Sequence, residues 1–278
     1  MQNAGIAALG LDWRYLAFDV PPDQLKPAIE GAKALRFVGL NLTVPHKLLA
    51  VDLVDVLDES ARTWGAVITI RFEARMAGGE WLPIPAFGDD VPDEVRGVGF
   101  NTDASGLLLA LREDLGFEPL GSRVVLLGAG GAGRVAALKL AAERVSELYL
   151  LNRTREKAEA LAAEVSSRYP KVKVEIGYPA SPSVDLVLNA TSLGLKRTDP
   201  LPLELNRLSW DRVYAVYDMI YRPAQTRLLE AARGAGCRVA NGLGMLLYQG
   251  TQALELWSGR PAPVEVMRRA LRQNVYGA

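Results

Sequence analysis

Cysteine and histidine are nearly absent: Cys237 and His46 are the only ones in 278 residues. A single cysteine excludes an internal disulfide, and the two residues together leave little from which to build a zinc site. A reducing, cytoplasmic compartment fits this usage. No stretch approaches the roughly 18 consecutive apolar residues of a membrane-spanning helix. The start, Met1–Gly5, has neither the basic flank nor the apolar core of a secretory leader. Net charge is nil, 32 basic residues against 32 acidic ones, so the molecule has no polyanion-binding signature and nucleic acid is not an expected partner. What is present is a chain long enough for about two domains. The charge within it is uneven: residues 1–116 hold 10 basic and 17 acidic residues, and 117–278 hold 22 and 15. The second part therefore suits an anionic ligand, although drift between two domains gives the same sums.

The pattern along the chain alternates strand and helix. Residues 2–10 read as a helix ending at Gly10, and Arg14–Val20 alternates like a strand. Pro21-Pro22-Asp23 opens a helix over 24–34. Phe37–Leu42 reads as a buried strand, Pro45 opens another helix, and Ala66–Phe72 is strand-like. The acidic, proline-containing stretch 78–96 reads as an exposed loop or hairpin. Gly97–Asn101 is a short strand followed by a helix to about 114. Beyond it the pattern sharpens. Strands are predicted at Arg123–Leu127, Glu147–Leu151, Val172–Ile176, Val184–Leu188, Ala215–Asp218 and Arg238–Ala240. Helices are predicted over 132–143 and Arg155–Tyr169, with two more over 244–275 broken at Ser258–Pro263. This spacing implies a doubly wound parallel sheet.

Gly128-Ala129-Gly130-Gly131-Ala132-Gly133 follows the Arg123–Leu127 strand directly and opens a helix. In that setting the first glycine allows the turn, the second lets the backbone approach a pyrophosphate, and the third lets helix and strand pack closely. The free N–H groups at the helix start then face phosphate. An NAD site places a carboxylate about 20 residues further on, at the tip of the second strand. Here that tip reads Leu151-Asn152-Arg153-Thr154-Arg155, with Lys157 behind it. Arg153 can stack on adenine and pair with a 2′-phosphate, which points to NADP. Arg155 and Lys157 also fit as solvated residues of a first helical turn.

Three further motifs lie at predicted strand ends, where α/β proteins place ligands: Asn41-Leu42-Thr43-Val44-Pro45-His46-Lys47, Gly99-Phe100-Asn101-Thr102-Asp103, and Gly242-Leu243-Gly244-Met245 running on to Tyr248-Gln249. Lys47 and Asp103 brought together make a proton-transfer pair, Asp103 holding the lysine and Lys47 exchanging a proton with a hydroxyl or carbonyl. Taken singly, Lys47 also fits a surface helix lysine, Asp103 an N-cap, and Met219 and Met245 core packing. His46 reads as a surface residue.

The chain resembles the shikimate dehydrogenase family. N-x-T-x-P-x-K, G-x-N-T-D, G-A-G-G-A-G-R with N-R-T behind it, N-A-T-S-x-G, Y-D-x-x-Y-x-P and G-x-x-M-L-x-x-Q follow in family order over almost its whole length. The resemblance implies NADPH-dependent, reversible reduction of 3-dehydroshikimate to shikimate on the route to aromatic amino acids. It implies Lys47 and Asp103 as the catalytic pair, with Thr43, Asn101, Tyr221 and Gln249 at the substrate. It assigns Gly128, Ala129, Gly130, Gly131, Ala132, Gly133 and Arg134 to the cofactor loop, and Asn152, Arg153, Thr154 and Lys157 to the adenosine phosphate. Asn189, Ala190, Thr191, Met219, Gly242 and Met245 would border ribose and nicotinamide. Alternatives are a relative oxidising quinate or another polyol acid, and a non-catalytic NADP-binding protein. The resemblance leaves monomer and homodimer open.

The implied fold is α/β in two domains with a cleft between them. Residues 1–103 and 245–278 form a mixed-sheet substrate domain, and 104–244 a Rossmann-type NADP domain. Two departures from the family stand out. Its members begin with a strand and a serine-x-serine-proline segment ahead of the Met-x-Asn-Ala helix, where this chain begins, so a shortened N-terminus, two missing carboxylate-binding serines and an open sheet edge are expected. The family motif G-A-V-N-T here reads Gly65-Ala66-Val67-Ile68-Thr69, and Ile68 cannot bond ring hydroxyls, which costs substrate binding. The 78–96 insertion is also longer than the family implies.

Overall fold

The computed structural model describes residues 1–180 and 183–277. The chain divides into two compact units, Met1–Ser105 with Leu247–Ala278 and Gly106–Leu246. In chain order the first unit begins with α1 (Gln2–Ala8), α2 (Leu25–Ala34), β1 (Gly39–Asn41), α3 (His46–Leu49), β2 (Val56–Leu57) and α4 (Glu59–Trp64). It continues with β3 (Thr69–Arg75), β4 (Trp81–Pro83) and β5 (Val95–Phe100). The strands form a mixed sheet in the order β1-β3-β5-β2, with β4 paired to β3. β3 runs antiparallel to β1, β4 and β5, and β2 runs parallel to β5. The stretch 78–96, expected as an exposed loop or hairpin, supplies β4, which closes a hairpin with the preceding β3, but it also buries Ile84 and runs on into β5.

Period-two alternation sorts β3 into two faces. Ile70 and Phe72, both fully buried, pack with Leu25, Ile29 and Ala32 of α2 on one face. On the other, Thr69, Arg71 and Glu73 are polar, and Glu73 is buried between Arg71 and Arg96. Trp257 closes against β1: its indole N–H donates to the Ile70 carbonyl at 3.0 Å, and a Cβ on Gly39 would lie 2.1 Å from that nitrogen. Glycine is therefore required at position 39 by close approach, not by backbone angle.

Arg14–Val20 is not a strand, against its alternating pattern. Alternation gives a segment two faces, but a strand also needs a neighbour for its backbone groups. Here the Tyr15 N–H donates to the Asn3 side chain at 2.7 Å and the Tyr15 carbonyl accepts from it at 2.9 Å. β1 pairs with β3 alone, so its outer edge meets no strand among the described residues. Leu16, Phe18 and Leu35 stand 66%, 62% and 71% exposed.

The second unit is built on β6 (Arg123–Leu127), β7 (Glu147–Leu151), β8 (Lys173–Ile176), β9 (Val184–Asn189), β10 (Val213–Asp218) and β11 (Arg238–Asn241). These six strands are all parallel, in the order β11-β10-β9-β6-β7-β8. Their near-continuous apolar runs, fully buried at Val124, Val125, Leu126 and Leu148, are those of a sheet covered on both faces. The order reverses between β6 and β9, which puts the ligand crevice at the carboxyl ends of those strands. Helices α5 (Asp103–Glu113), α6 (Gly131–Ala142), α7 (Arg155–Arg168), α8 (Arg227–Gly234), α9 (Leu243–Ser258) and α10 (Val264–Tyr276) complete the chain, and both unit boundaries fall inside helices, α5 and α9. No helix among the described residues is long and apolar enough to cross a membrane.

Candidate active site

In the first unit, Lys47 lies in α3, directly after the turn that ends β1, and Asp103 is the first residue of α5. Lys47 Nζ donates to Asp103 Oδ2 at 2.7 Å, with the two side chains 27% and 17% exposed. Such a charge-assisted bond fixes both groups while leaving ammonium protons for another acceptor. Neither residue is a solvated surface group, and Asp103 does not itself cap the helix. That bond belongs to the buried Asn101, whose Oδ1 accepts from the Ala104 N–H at 3.1 Å. Asn101 Nδ2 donates to the Ala66 carbonyl at 3.1 Å, and the Asn101 N–H donates to Ser60 Oγ at 3.0 Å. The residue predicted to touch substrate is thus largely committed to fixing the strand-to-helix turn that carries Asp103.

Thr43 is exposed in the turn after β1, and Gln249 is half-buried on α9. A polar chain that motif reading left without roles runs through this unit. Tyr15 OH bonds Asn41 Oδ1 at 3.1 Å, Asn41 Nδ2 donates to Thr69 Oγ1 at 2.9 Å, and Thr69 and Thr102 hydroxyls lie 3.1 Å apart. Thr69 and Thr102 are buried, and burial also pushes the Tyr15 phenol above its ordinary pKa. The alternation of Thr69, Arg71 and Glu73 along β3 is the sequence signal that one face of the sheet is polar here. Ile68 is 2% exposed; its backbone bonds Phe100 and Leu42, both at 2.8 Å. A cavity of about 460 Å³, lined by Arg71, Phe100, Asn101, Thr102 and Gln252 among others, adjoins this turn. His46 is half-buried, not a surface residue.

In the second unit the glycine loop leaves β6. Gly128 has φ +104°, and a Cβ there would lie 3.0 Å from Thr191. A Cβ on Gly133 would lie 2.0 Å from the Gly128 carbonyl oxygen, so α6 can approach the strand only with glycine at this point. Gly130, Gly131 and Ala132 are exposed, a Cβ on either glycine would meet nothing within 4 Å, and no side chain caps the start of α6. An uncapped helix N-terminus opening on free space fits a pyrophosphate. Asn152 braces the loop, its Oδ1 accepting from the Ala129 N–H at 3.0 Å while its Nδ2 donates to the Thr154 carbonyl at 2.7 Å. Of the cations at the β7 tip, Arg155 is paired with Glu159 at 2.8 Å, whereas Arg153 and Lys157 are exposed and make no such bond among the described residues. Arg134, grouped with the loop by its motif, forms a bidentate ion pair with Glu164 of α7 at 2.8 and 2.6 Å.

At the ends of β9 and β10, Asn189 Oδ1 accepts from the Thr191 N–H and hydroxyl at 3.0 and 2.7 Å. A Cβ on Gly242 would lie 2.0 Å from the Met219 carbonyl oxygen. Met219, Met245, Ala190 and Thr191 are half-buried, and Tyr221, 37% exposed, follows β10.

A six-stranded parallel sheet with this order and a bare glycine loop at its reversal point is a dinucleotide-binding fold. Family models for the shikimate dehydrogenase substrate-binding domain, for shikimate/quinate 5-dehydrogenase and for the shikimate 5′-dehydrogenase C-terminal domain match residues 1–70, 114–195 and 242–272. The chain is 41% identical over 99% of its length to the shikimate dehydrogenase (NADP+) of Methanopyrus kandleri, covering 90% of that protein. Solved structures are similar as well, among them the following two. Shikimate 5-dehydrogenase of Thermus thermophilus in complex with NADP(H) and shikimate has a TM-score of 0.78 at 32% identity, with 98% of this chain and 92% of that one covered. Ligand-free 5-ketofructose reductase of a Gluconobacter species has a TM-score of 0.81 at 34% identity and the same coverage. The chain belongs to the shikimate dehydrogenase family.

Proposed function

We propose that the protein is an NADP-dependent shikimate dehydrogenase, interconverting 3-dehydroshikimate and shikimate. The Lys47–Asp103 pair, bonded at 2.7 Å at adjoining element starts, carries the reading. The bound cofactor supplies hydride transfer to and from the substrate carbon. The chain's own residues do the rest. Lys47 Nζ donates a proton to the carbonyl oxygen during reduction and takes it back during oxidation, and Asp103 keeps the ammonium aimed and charged. Gln249 and Thr43 bind and orient the ring. In the second unit the loop Gly128–Gly133 and the N-terminus of α6 hold the pyrophosphate, and Asn152 sets the loop's shape. Thr154 at the start of α7, with the exposed cations Arg153 and Lys157, receives the 2′-phosphate. Asn189, Ala190, Thr191, Met219, Gly242 and Met245 border the ribose and nicotinamide. Arg134 acts at one remove, bracing α6 against α7.

A second reading, a different polyol or keto-sugar substrate, rests on Ile68. At 2% exposure it supplies packing where a hydroxylated ring calls for a donor, and one relative of high TM-score is named for 5-ketofructose. Steady-state rates with shikimate, quinate and 5-ketofructose, each against NADP(H) and NAD(H), separate the readings. We expect the largest kcat/KM with shikimate and NADP. No turnover of shikimate beside ready turnover of another substrate would replace the first reading with the second.

A further inference from the structure

Asp218 ends β10 with its carboxylate completely buried, and no described cation neutralises it. Its partners are neutral donors: Asn189 Nδ2 at 3.0 Å and the Ile220 N–H at 3.0 Å on Oδ1, and the Thr226 hydroxyl at 2.7 Å on Oδ2. Burial pushes its pKa up, opposed by the three bonds. Burying a charge without a counter-ion costs stability, so the shape it maintains needs an explanation. Both carboxylate oxygens are needed as acceptors: an amide of the same size keeps one oxygen for the Asn189 and Ile220 donors but turns N–H groups toward the Thr226 hydroxyl, which must then give up donating. The donors come from three places: the end of β9, the turn after β10, and the start of α8. Asn189 passes the constraint on, since the oxygen of the same amide holds the Thr191 N–H and hydroxyl and its nitrogen also reaches the Leu193 carbonyl at 3.2 Å.

We propose that Asp218 is a positioning residue for the nicotinamide half of the cofactor, locking the 189–193 and 218–220 segments into one rigid rim. The inference rests on the dinucleotide reading of this sheet and deepens it. The sheet order gives the separation. Arg153 follows β7 on one side of β6, and Asp218 ends β10, two strands to the other side. At about 4.8 Å per strand this spans roughly 14 Å, comparable with the distance between the two bases of an extended dinucleotide. A disturbance at Asp218 should therefore reach one end of the ligand and spare the other.

The test is Asp218→Asn, with dissociation constants by calorimetry for NADP and for adenosine 2′,5′-bisphosphate, which carries only the adenosine end. Loss of one or two charge-assisted bonds predicts NADP binding weakened roughly 10- to 100-fold, with the bisphosphate changed less than about twofold. A KM for NADP raised by the same factor at near-normal kcat is the kinetic counterpart, since mere loss of folded enzyme lowers kcat and leaves KM alone. Thr226→Val, which removes this donor and the cap bond that the same hydroxyl accepts from the Leu229 N–H, and Thr226→Ser, which keeps both, form the second pair. NADP binding should weaken several-fold in the first and stay unchanged in the second, and this pair decides the matter if Asp218→Asn does not fold. Unchanged NADP affinity in a folded Asp218→Asn protein, or equal weakening of both ligands, overturns the proposal. Failure of the unaltered protein to bind the bisphosphate would instead overturn the dinucleotide reading.

Discussion

Alanine at position 47 removes the ammonium that lies 2.7 Å from Asp103 and leaves a carboxylate only 17% exposed with its charged partner gone. If Lys47 meets a charge that grows on the substrate oxygen only as hydride moves, the loss falls on kcat and leaves KM little changed. General acid–base catalysis of this kind is worth roughly 10²–10⁴ in rate, or about 2.7–5.5 kcal/mol of barrier. Asp103→Asn keeps the shape and removes the charge that holds the lysine, which should cost about 10- to 100-fold, the worth of one bond to a charged group. Because Asp103 is proposed to act through Lys47, its loss should matter little once the lysine is gone. The double variant is then about as slow as Lys47→Ala alone. Initial rates of nicotinamide absorbance change over a grid of shikimate and NADP concentrations give all four kcat and KM values. Two results would refute the reasoning: multiplicative losses, which give Asp103 chemistry of its own, and a normal kcat with raised KM, which puts Lys47 in binding.

Arg153→Ala should weaken NADP roughly 10- to 100-fold, as loss of a charge-assisted phosphate contact does, and leave NAD within about twofold; parallel loss of both cofactors removes the 2′-phosphate role. Gly39→Ala places a methyl group 2.1 Å from Trp257 Nε1 and 2.4 Å from the Ile70 carbonyl oxygen, and should destabilise the fold by about 2–4 kcal/mol in urea titration; an unshifted midpoint would mean that helix and sheet part without strain. Glu73→Gln leaves two arginines facing a neutral amide at a site where Glu73 is 4% exposed, for a loss of about 3 kcal/mol by the same measurement. Burial and the hydrogen bond to Glu147 push the Tyr149 hydroxyl up to about 12. A raised folded-state pKa gives stability that is complete below the unfolded value near 10 and fades as pH rises toward 12. Unfolding free energy should therefore fall more steeply with pH above about 10 in the unaltered protein than in Tyr149→Phe, and equal slopes would contradict it.

Signals within a few residues of one another were legible. The glycine loop declares a strand, a turn and a helix at once, and the contacts a Cβ would make at Gly133 show why one residue type fills that position. The parallel strands announce themselves as short apolar runs between helices. Features that depend on distant partners were not legible. β2 is two residues long, too short for any periodicity, and exists because Val98 and Gly99 of β5 pair with it. Arg14–Val20 has a strand's alternation and no strand's bonds. Arg134 sits in a cofactor motif yet spends its guanidinium on Glu164 in the next helix, and Asp218 looks like an ordinary strand-end aspartate until Asn189 and Thr226 are folded around it. Motif spacing brings Lys47 and Asp103 together on paper, but the role of Asn101 in fixing the β5-to-α5 turn that carries Asp103 depends on Ala66 and cannot be read from it.

That turn separates two duties often merged in one side chain. Asn101 fastens the end of β5 to the start of α5 through the Ala66 carbonyl and the Ala104 N–H, and Asp103, two residues later, carries none of that burden. Position 103 is thus chemically free: exchanging its carboxylate for an amide or a hydroxyl changes what faces Lys47 without unfastening the helix. Position 101 has no such latitude, because it needs an acceptor for the Ala104 N–H and a donor for the Ala66 carbonyl on one short side chain, and aspartate would supply only the first. Lineages departing from this chain would retain the fastener and vary the reagent, and a designer seeking new chemistry on this scaffold would begin at 103 and leave 101 alone.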